Sequence, residues 1–344
     1  LASAGTLTVA VSPDTPNAAN VAIGAAGATG VVFDKIKFTS ANEAINLEAV
    51  KVSLQTDGTN HVPDVAAIHL YNGATEVSVA GYLTGTSASA NVVHTFYLSG
   101  VQIPKDDSLT LTLKVDLNGT SQGGTSLDTP RFYVADVAGA ADLSASHLKA
   151  TGVSSGATIT SAAGTPNPET ATNFNEMTLV KTKPTFALTN GSPSGTTLVA
   201  ATMNVLEFSV TADASGDVAF GSGDSITFTV LGNQFDSDTT TDTITVRRKD
   251  TSASVGTASA ANSLDVDDTV AVTMTDTIAA GTSRTYYVEV TLTDYETDGD
   301  TFALKINSTS GHVVWDDGTS AGASVSNALT NGLPVTSGYV VNPT

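Results

Sequence analysis

The acidic residues of one short segment have the spacing of cation ligands. In DYETDGD the side chains of Asp294, Glu296, Asp298 and Asp300 occupy every second position, and the glycine among them permits a turn. A calcium ion takes six to eight oxygen ligands, and loops of the D-x-D-x-D-G type supply several of them. Lys305 stands where an EF-hand has its bidentate glutamate, so the segment is not an EF-hand. It predicts either a calcium site or an ordinary solvated hairpin turn.

Other groups that are able to bind metals are weaker candidates. Two further acidic clusters are FDSDTTTD, with Asp236, Asp238 and Asp242, and DVDD, with Asp265, Asp267 and Asp268. The five histidines are His61, His69, His94, His147 and His312. No pair of them has the i, i+4 helical spacing or the short spacing of a zinc site. The histidines are therefore interpreted as ordinary structural residues.

Two motifs resemble catalytic or phosphate-binding signatures only superficially. GVSSG (152–156) matches the nucleophile elbow G-x-S-x-G, which requires a strand before it and a helix after it. GAAGATG (24–30) lacks both the G-x-G-x-x-G order and a following helix. Both are interpreted as loops, and no enzymatic activity is predicted.

Two features of the sequence bear on carbohydrate, the single tryptophan and three glycosylation sequons. Trp315 is the only tryptophan, and VVWDDG indicates a strand that enters a turn, so Trp315 is predicted to be a core or interface residue rather than a sugar platform. Asn118, Asn190 and Asn307 stand in N-x-S/T sequons, which are acceptors for attached glycans. Glycans are therefore kept as alternative partners.

Charge and composition exclude several classes of protein. The 344 residues include 34 acidic and 14 basic side chains, for a formal net charge of −20. Such a polyanion repels nucleic acid phosphates, so binding of nucleic acid is not expected. No apolar run approaches the ~18 residues that a membrane helix needs. The absence of cysteine excludes disulfides, thiolate metal sites and cysteine nucleophiles.

The apolar residues alternate with polar ones at a period of two. Leu109, Leu111 and Leu113 alternate with threonines, and Val288 and Val290 continue the same pattern near residue 290. This alternation buries one face of a strand and exposes the other, as in antiparallel sheets. Clusters of Gly, Asn, Asp and Ser interrupt the runs at about the 8–12-residue spacing of a sandwich. The sequence therefore predicts an all-β protein.

Four segments recur in the same order about 170 to 180 residues apart. The matched ranges are 5–17 with 183–195, 36–47 with 208–220, 108–119 with 285–296, and 131–137 with 301–307. We interpret them as an internal duplication that gives two tandem immunoglobulin-like antiparallel β-sandwich domains, 1–178 and 179–344. Residues 161–178 are predicted to hold a linker and the last strand of the first domain, since Pro166 and Pro168 keep a chain extended.

The opening GTLTVAVSPDTPNAAN, the units rich in Thr, Ala and Ser, and the lack of cysteine resemble bacterial secreted surface proteins with immunoglobulin-like repeats. That broad group includes S-layer proteins, adhesin stalks and filament subunits. The resemblance covers the whole chain but has no diagnostic motif, so it transfers no functional residue. It implies a structural or adhesive role and an extracellular or cell-surface location.

The final segment SGYVVNPT (337–344) has the shape of MTLVKTKPTFAL (177–188), which stands at the boundary between the two units. The pattern predicts the beginning of a third unit. Either the sequence is a piece of a longer array, or the next copy supplies the missing unit, with its AGTLTVAV strand in the place of TFAL.

These observations predict a structural subunit of an extracellular filament or surface layer. Its partners are other copies of itself, joined head to tail through the terminal strands. The residues expected at this interface are Leu7, Val9, Val11, Tyr339, Val340 and Val341. The alternative is a cell-surface adhesin or a carbohydrate-binding β-sandwich module.

Overall fold

The chain folds into β-strands, as the alternation predicts. A computed structural model describes residues 5–135, 148–159, 161–193, 196–197, 201–233, 241–260, 264, 266–292, 299–319, 325–326 and 330–341. Apart from two short 3₁₀ turns, the regular structure in these ranges consists of strands, which confirms the all-β fold. The described residues form no helix that is long and apolar enough to cross a lipid bilayer. The chain divides into two compact units, Leu1–Leu179 and Val180–Thr344.

The described part of the first unit contains two large sheets and one two-stranded sheet. Its strands are β1 (Thr6–Val11), β2 (Ala19–Ala22), β3 (Ala28–Ala41), β4 (Ile45–Leu54), β5 (Val65–Asn72), β6 (Thr75–Glu76), β7 (Val92–Ile103), β8 (Ser108–Leu117), β9 (Phe132–Val134), β10 (Leu148–Gly152), β11 (Ser161–Ala163) and β12 (Met177–Val180). The 3₁₀ turns are Val62–Asp64 and Ala171–Asn173. One sheet has the order β11-β1-β3-β8-β5-β6. In the other, β4 pairs with β7, β9 and β10.

The second unit is built from the remaining strands. They are β13 (Pro184–Leu188), β14 (Thr196–Thr197), β15 (Ala201–Ala212), β16 (Val218–Phe220), β17 (Ser225–Asn233), β18 (Thr243–Arg248), β19 (Ser254–Ser259), β20 (Thr269–Thr273), β21 (Asp276–Ile278), β22 (Ser283–Leu292), β23 (Thr301–Ile306), β24 (Val313–Trp315), β25 (Val325–Ser326), β26 (Val335–Thr336) and β27 (Val340–Val341). One sheet has the order β13-β15-β22-β18-β19. A second sheet has the order β14-β27-β23-β17-β24-β25, with β20 also paired to β17.

The two units share a strand order. The strand order β1-β3-β8-β5-β6 in a sheet of the first unit corresponds to the order β13-β15-β22-β18-β19 in a sheet of the second. In the facing sheets, β4 with its neighbours β7, β9 and β10 corresponds to β17 with β20, β23 and β24. The recurring segments begin at β1 and β13, β3 and β15, β8 and β22, and β9 and β23, as far as the structure describes them. The internal duplication itself stays a prediction.

Each unit has its own apolar core. The alternating residues Leu111, Leu113 and Val115 of β8 are fully buried, and so are Val288 and Val290 of β22. Side chains from both sheets of a unit meet in one cluster of buried residues. Burial of apolar surface at about 25 cal/mol per Å² is the main force that holds such a sandwich together.

The segment 161–175, which the prolines suggest is a linker, lies within the first unit. Its residues Ser161–Ala163 form β11, which pairs in parallel with Leu7–Val9 of β1. Phe174 is 1% exposed and belongs to the core of the first unit. The physical reason is that β1 presents unpaired N–H and C=O groups along its outer edge, and this segment satisfies them. The pairing is parallel, so the sheets are not purely antiparallel.

Candidate functional site

A histidine and three carboxylates form a partly buried polar cluster in the first unit. The Nε2 atom of His61 lies 3.0 Å from Oδ2 of Asp57. The Nδ1 atom lies 3.2 Å from Oδ2 of Asp64 and 3.5 Å from Oδ2 of Asp128. The side chains of His61 and Asp64 are buried, whereas those of Asp128 and Asp57 are 18% and 36% exposed. We call these four residues the His61 centre.

The local chain geometry explains how the first three members come together. His61 precedes the 3₁₀ turn Val62–Asp64, in which Pro63 fixes the backbone and the Asp64 N–H donates to the His61 carbonyl at 3.1 Å. The turn places the Asp64 carboxylate on the same side as the imidazole ring. The other carboxylate oxygen of Asp64, Oδ1, accepts the N–H of Thr125 at 2.8 Å.

Asp128 reaches the centre from a distant part of the chain. The residue before it, Leu127, has a φ of 73°, in the left-handed region that non-glycine residues seldom adopt. Two backbone hydrogen bonds fix this segment, from Leu127 N–H to Leu179 O and from Leu179 N–H to Asp128 O, both 2.8 Å long. The Asp128 carboxylate is thereby held beside the imidazole of His61.

The His61 centre carries more negative than positive charge. Burial by itself lowers the pKa of His61, but hydrogen bonds with Asp128, Asp64 and Asp57 outweigh it and raise that pKa to about 10. Burial raises the pKa of Asp64, and the hydrogen bond with His61 only partly offsets this effect. His61, Asp64 and Asp128 also have the donor atoms and the proximity to hold a metal ion.

Sequence reasoning missed this centre. Asp57, His61 and Asp64 stand close together in DGTNHVPD, so a local D-x₃-H-x₂-D signal was present. This spacing differs from the helical i, i+4 and zinc-finger spacings by which metal sites are recognised in a sequence. The remaining carboxylate, that of Asp128, is 64 residues beyond Asp64 and becomes adjacent only through the fold.

The predicted calcium segment is largely outside the described residues. Asp294, Glu296 and Asp298 lie there, whereas Asp300 immediately precedes β23. The calcium site at this segment therefore stays a prediction.

The two weaker acidic clusters are also only partly described. Asp236, Asp238 and Asp265 lie outside the described residues. Asp242 is 4% exposed, and its Oδ2 accepts the N–H of Leu264 at 3.1 Å. Its carboxylate therefore anchors a loop, which is a structural role. Asp267 has a φ of 70° and Asp268 follows it ahead of β20.

The predicted interface residues of β1 are enclosed in their own unit. Leu7, Val9 and Val11 are at most 7% exposed. On the outer edge of β1, the N–H of Val11 donates to Pro166 O at 3.0 Å, and the N–H of Gly164 donates to Val9 O. A second copy is able to contact these side chains only by replacing the strand of this unit.

The predicted interface residues near residue 340 differ among themselves. Val340 is fully buried, Val341 is half-buried, and Tyr339 is 47% exposed. Their strand β27 pairs with β23 and, in parallel, with β14. Among the six interface residues predicted from sequence, Tyr339 has the side chain that is most available to another molecule.

An open groove with mixed polar and apolar walls lies beside the edge strand β7. Its volume is about 480 Å³, and its lining includes Val77, Val79, Tyr97 and Val101. Val79 is 87% exposed and Tyr97 is 72% exposed. Strand β7 ends its sheet, so it also offers unpaired backbone groups. Sequence analysis did not single out this surface, because an exposed tyrosine in an edge strand has the same local pattern as a buried one.

The remaining sequence motifs lie in different surroundings. GVSSG forms a turn after β10, and the N–H groups of Ser154 and Ser155 donate to Oε2 of Glu43 at 3.0 and 2.9 Å. Trp315 is fully buried in the core of the second unit, as predicted. Of the sequon residues, Asn190 is exposed, while Nδ2 of Asn118 donates to Pro63 O at 2.8 Å.

Comparisons with known proteins give only distant likenesses. No family model and no curated protein matches the chain. A red sea bream transglutaminase structure has 8% identity and a TM-score of 0.24, with 99% of this chain and 32% of that chain covered. The chain thus spans about a third of that protein.

Two streptococcal structures give similar values. The C-terminal domain of the AgI/II polypeptide BspA of Streptococcus agalactiae has 9% identity and a TM-score of 0.20, with coverages of 98% and 100%. The RrgB pilus protein of Streptococcus pneumoniae has 11% identity and a TM-score of 0.20, with coverages of 99% and 43%. TM-scores of this size support no assignment of function.

Proposed function

We propose that the chain is a structural subunit of an extracellular filament or surface layer, and that its copies join head to tail through their terminal strands. The proposal requires no enzymatic activity, and we expect none. Its partners are other copies of the same chain.

The correspondence between strands at the ends of the two units carries this proposal. β2 follows β1 in the first unit as β14 follows β13 in the second. β12 pairs with β2 and β27 pairs with β14, so β27 is the counterpart of β12. β1 likewise corresponds to β13. Within the chain, β12 is followed by β13 after only residues 181–183. We propose that β27 of one copy precedes β1 of the next in the same succession. A heterologous contact of this kind generates a filament when it does not close on itself.

The exposed side chain of Tyr339 makes this proposal testable without disrupting the core. We expect natively purified chain to form filaments or sheets in electron micrographs and to sediment as a polymer. Tyr339→Glu places a charge in the proposed contact and is expected to reduce polymer by about 10-fold or more, since charges are disfavoured in the centre of an interface. Tyr97→Glu is the matched control, because Tyr97 is an exposed tyrosine far from β27 in sequence.

The control also discriminates between surfaces. If polymer forms in Tyr339→Glu but not in Tyr97→Glu, the interface between copies lies at the edge of β7 and not at the terminal strands. A wild-type chain that stays monomeric at high concentration would refute the filament or layer.

Strand exchange and simple docking are distinguishable by a disulfide. Thr8 of β1 and Thr39 of β3 are register partners with exposed side chains, and the chain has no native cysteine. If β1 leaves its own unit during assembly, Thr8→Cys/Thr39→Cys is expected to block polymer when oxidised and to permit it when reduced. Thr39→Cys/Ser108→Cys, which joins β3 to β8 instead, is the control and should assemble in both states.

The groove beside β7 favours a second candidate function, that of an adhesin or carbohydrate-binding module. Tyr97, which lines this groove, is 72% exposed, and aromatic rings of this kind supply much of the contact area at ligand-binding surfaces. In this alternative a monomer binds glycans or peptides in an array screen, and Tyr97→Ala abolishes binding while Tyr339→Ala does not.

A further inference from the structure

The Nδ1 atom of His61 faces more acceptors than one proton is able to satisfy. Two carboxylate oxygens, from Asp64 and Asp128, lie 3.2 and 3.5 Å from this single ring nitrogen. A protonated Nδ1 has one N–H, which points at one acceptor at a time. A cation at the centre of the three atoms would interact with all of them. We propose that His61, Asp64 and Asp128 bind a divalent transition-metal ion, for which zinc is the best match.

The distances between the donor atoms fit such an ion. Zinc binds histidine nitrogen and carboxylate oxygen at about 2.0–2.2 Å in tetrahedral sites. Tetrahedral geometry then places neighbouring donors about 3.3–3.5 Å apart, from the same bond lengths. The two separations from Nδ1 are 3.2 and 3.5 Å, and all three donor atoms lie within 4.8 Å of one another. A water molecule would complete the coordination.

The surroundings of these ligands are those that support a metal. A ligating histidine almost always donates its other ring N–H to a carboxylate or carbonyl, which fixes the tautomer. Here Nε2 of His61 lies 3.0 Å from Oδ2 of Asp57 and keeps its proton. An ion that displaces the Nδ1 proton would then meet a lone pair on the side of Asp64 and Asp128. Oδ1 of Asp64, the oxygen on the other side, is held by the Thr125 N–H at 2.8 Å.

The donor set selects the class of metal. One imidazole nitrogen and two carboxylate oxygens suit zinc and its neighbours in the first transition row. Calcium requires six to eight oxygen ligands, and this centre offers too few. The partial exposure of Asp57 and Asp128 provides a route to solvent for the ion.

The metal would join distant parts of the first unit. Asp57, His61 and Asp64 precede β5, whereas Asp128 precedes β9 and is fixed to Leu179 by a backbone hydrogen bond. A chain without cysteine has no disulfides to tie such loops together, and metal binding supplies folding free energy in their place. The inference is independent of the assembly proposed above.

The full chain is the material for the test. After treatment with chelator and removal of the chelator, it is titrated with zinc chloride by calorimetry and with cobalt(II) by visible absorption. We expect one ion per chain, a cobalt spectrum of tetrahedral nitrogen and oxygen coordination, and a melting temperature that rises with zinc concentration. Asp128→Asn removes one ligand at a partly exposed position and is expected to weaken zinc binding by more than ~100-fold, beyond the 10–100-fold typical of outer-sphere changes.

The chain contains a matched control in His69. Its Nδ1 lies 2.7 Å from Oε1 of Glu76 and its Nε2 lies 3.3 Å from Oδ2 of Asp116, so each ring nitrogen has one carboxylate. His69→Gln is expected to leave zinc binding unchanged, and His61→Gln is expected to abolish it. Circular dichroism verifies that the variants fold.

Three results would overturn the inference. They are zinc binding equal in Asp128→Asn and wild type, loss of binding in His69→Gln, and the absence of any binding to wild type. The first would place the ion elsewhere, including the acidic segment at Asp294–Asp300. The last would show that a proton on His61 is the only cation in the centre.

Discussion

The first unit encloses His61 with three carboxylates, whereas the second encloses the carboxylate of Asp276 with two guanidinium groups. Arg248 forms a bidentate pair with Asp276, through Nε to Oδ2 at 3.0 Å and through Nη2 to Oδ1. Nε of Arg284 lies 3.5 Å from Oδ2, and the hydroxyl of Tyr286 donates to the same oxygen at 2.7 Å. We call these four residues the Asp276 centre.

The two centres differ in charge balance. In the Asp276 centre, burial raises the pKa of the carboxyl, but the hydrogen bonds from Arg248 and Tyr286 outweigh it, and the net effect lowers that pKa. Every acceptor has a donor, so the centre needs no further ion. In the His61 centre one imidazole faces three carboxylates, and the excess of acceptors provides a place for a cation. The comparison teaches that charge balance, more than burial, distinguishes a structural cluster from a candidate site.

Removal of the Asp276 carboxylate should produce the largest effect on stability. Asp276→Ala leaves Arg248 and Arg284 without their shared partner and the Tyr286 hydroxyl without its acceptor. Breaking a buried pair in this way costs about 3–5 kcal/mol, and we expect about 3 because Arg248 is 29% exposed and regains water. For a unit of this size that corresponds to roughly 6–12 °C in melting temperature.

The single tryptophan makes this measurement specific to the second unit. Trp315 is buried there, so its fluorescence during denaturant unfolding reports on that unit. Asp250→Ala is the control, since the Asp250 carboxylate is 63% exposed and lies 3.9 Å from Nη1 of Arg284. It should change the free energy of unfolding by less than about 1 kcal/mol. Equal losses in the two variants would contradict the assigned role of the Asp276 centre.

The carboxylate of Glu43 is held by uncharged N–H and O–H donors, in contrast to the arginine-bound carboxylate of Asp276. Hydrogen bonds from the Ser155 hydroxyl, from the Gly5 N–H and from the Ser154–Ser155 turn lower the pKa of Glu43 to about 2. Because the folded pKa lies below the ordinary value of 4.5, the stabilisation is present above pH 4.5 and disappears as the pH falls toward 2.

Glu43→Gln is therefore expected to lower the melting temperature of the first unit at neutral pH, by less than the Asp276 change. The difference from wild type should shrink steadily between pH 4.5 and 2, measured by circular dichroism across that range. Glu48→Gln is a graded comparison, because hydrogen bonds with Lys149 and Thr151 also lower the pKa of Glu48, whose side chain is 36% exposed. Its pH-dependent difference should be smaller than that of Glu43→Gln. A constant difference at all pH values would assign the effect to lost packing instead of ionisation.

Sequence reasoning predicted the repeating features and missed those that depend on the fold. Alternation in β8 and β22 determines which residues face a core, so the all-β class was readable from residues such as Leu111 and Val288. The position of β11 beside β1 was not readable, because nothing local indicates which edge a short Ser-Ala-Ala segment will cover. Both centres combine groups that are distant in sequence, such as Asp128 with His61.

An unpaired carboxylate in the core of the first unit completes the comparison. Asp34 is 1% exposed, and neither of its oxygens has a hydrogen-bond partner among the residues that the structure describes. Burial raises its pKa well above the ordinary 3.8, and the charge of Arg131 offsets only part of that increase. Since the folded pKa is raised, the contribution of Asp34 to stability is fully present below pH 3.8 and is lost as the pH rises through the folded value. At neutral pH, Asp34 therefore destabilises the first unit.

Asp34→Asn keeps the shape of the side chain and removes its ionisation. We expect the variant to melt about 2–4 °C higher than wild type at neutral pH, equivalent to about 1 kcal/mol, and at the same temperature near pH 3. Calorimetry at the two pH values measures this difference, with Asp14→Asn as a control at an exposed position of the same unit. A lower melting temperature at neutral pH would show that the Arg131 charge stabilises ionised Asp34 more than burial penalises it. Asp34 would then resemble Asp276, since a nearby arginine would compensate the charge of its carboxylate. The His61 centre, with its excess of carboxylates, would differ from both.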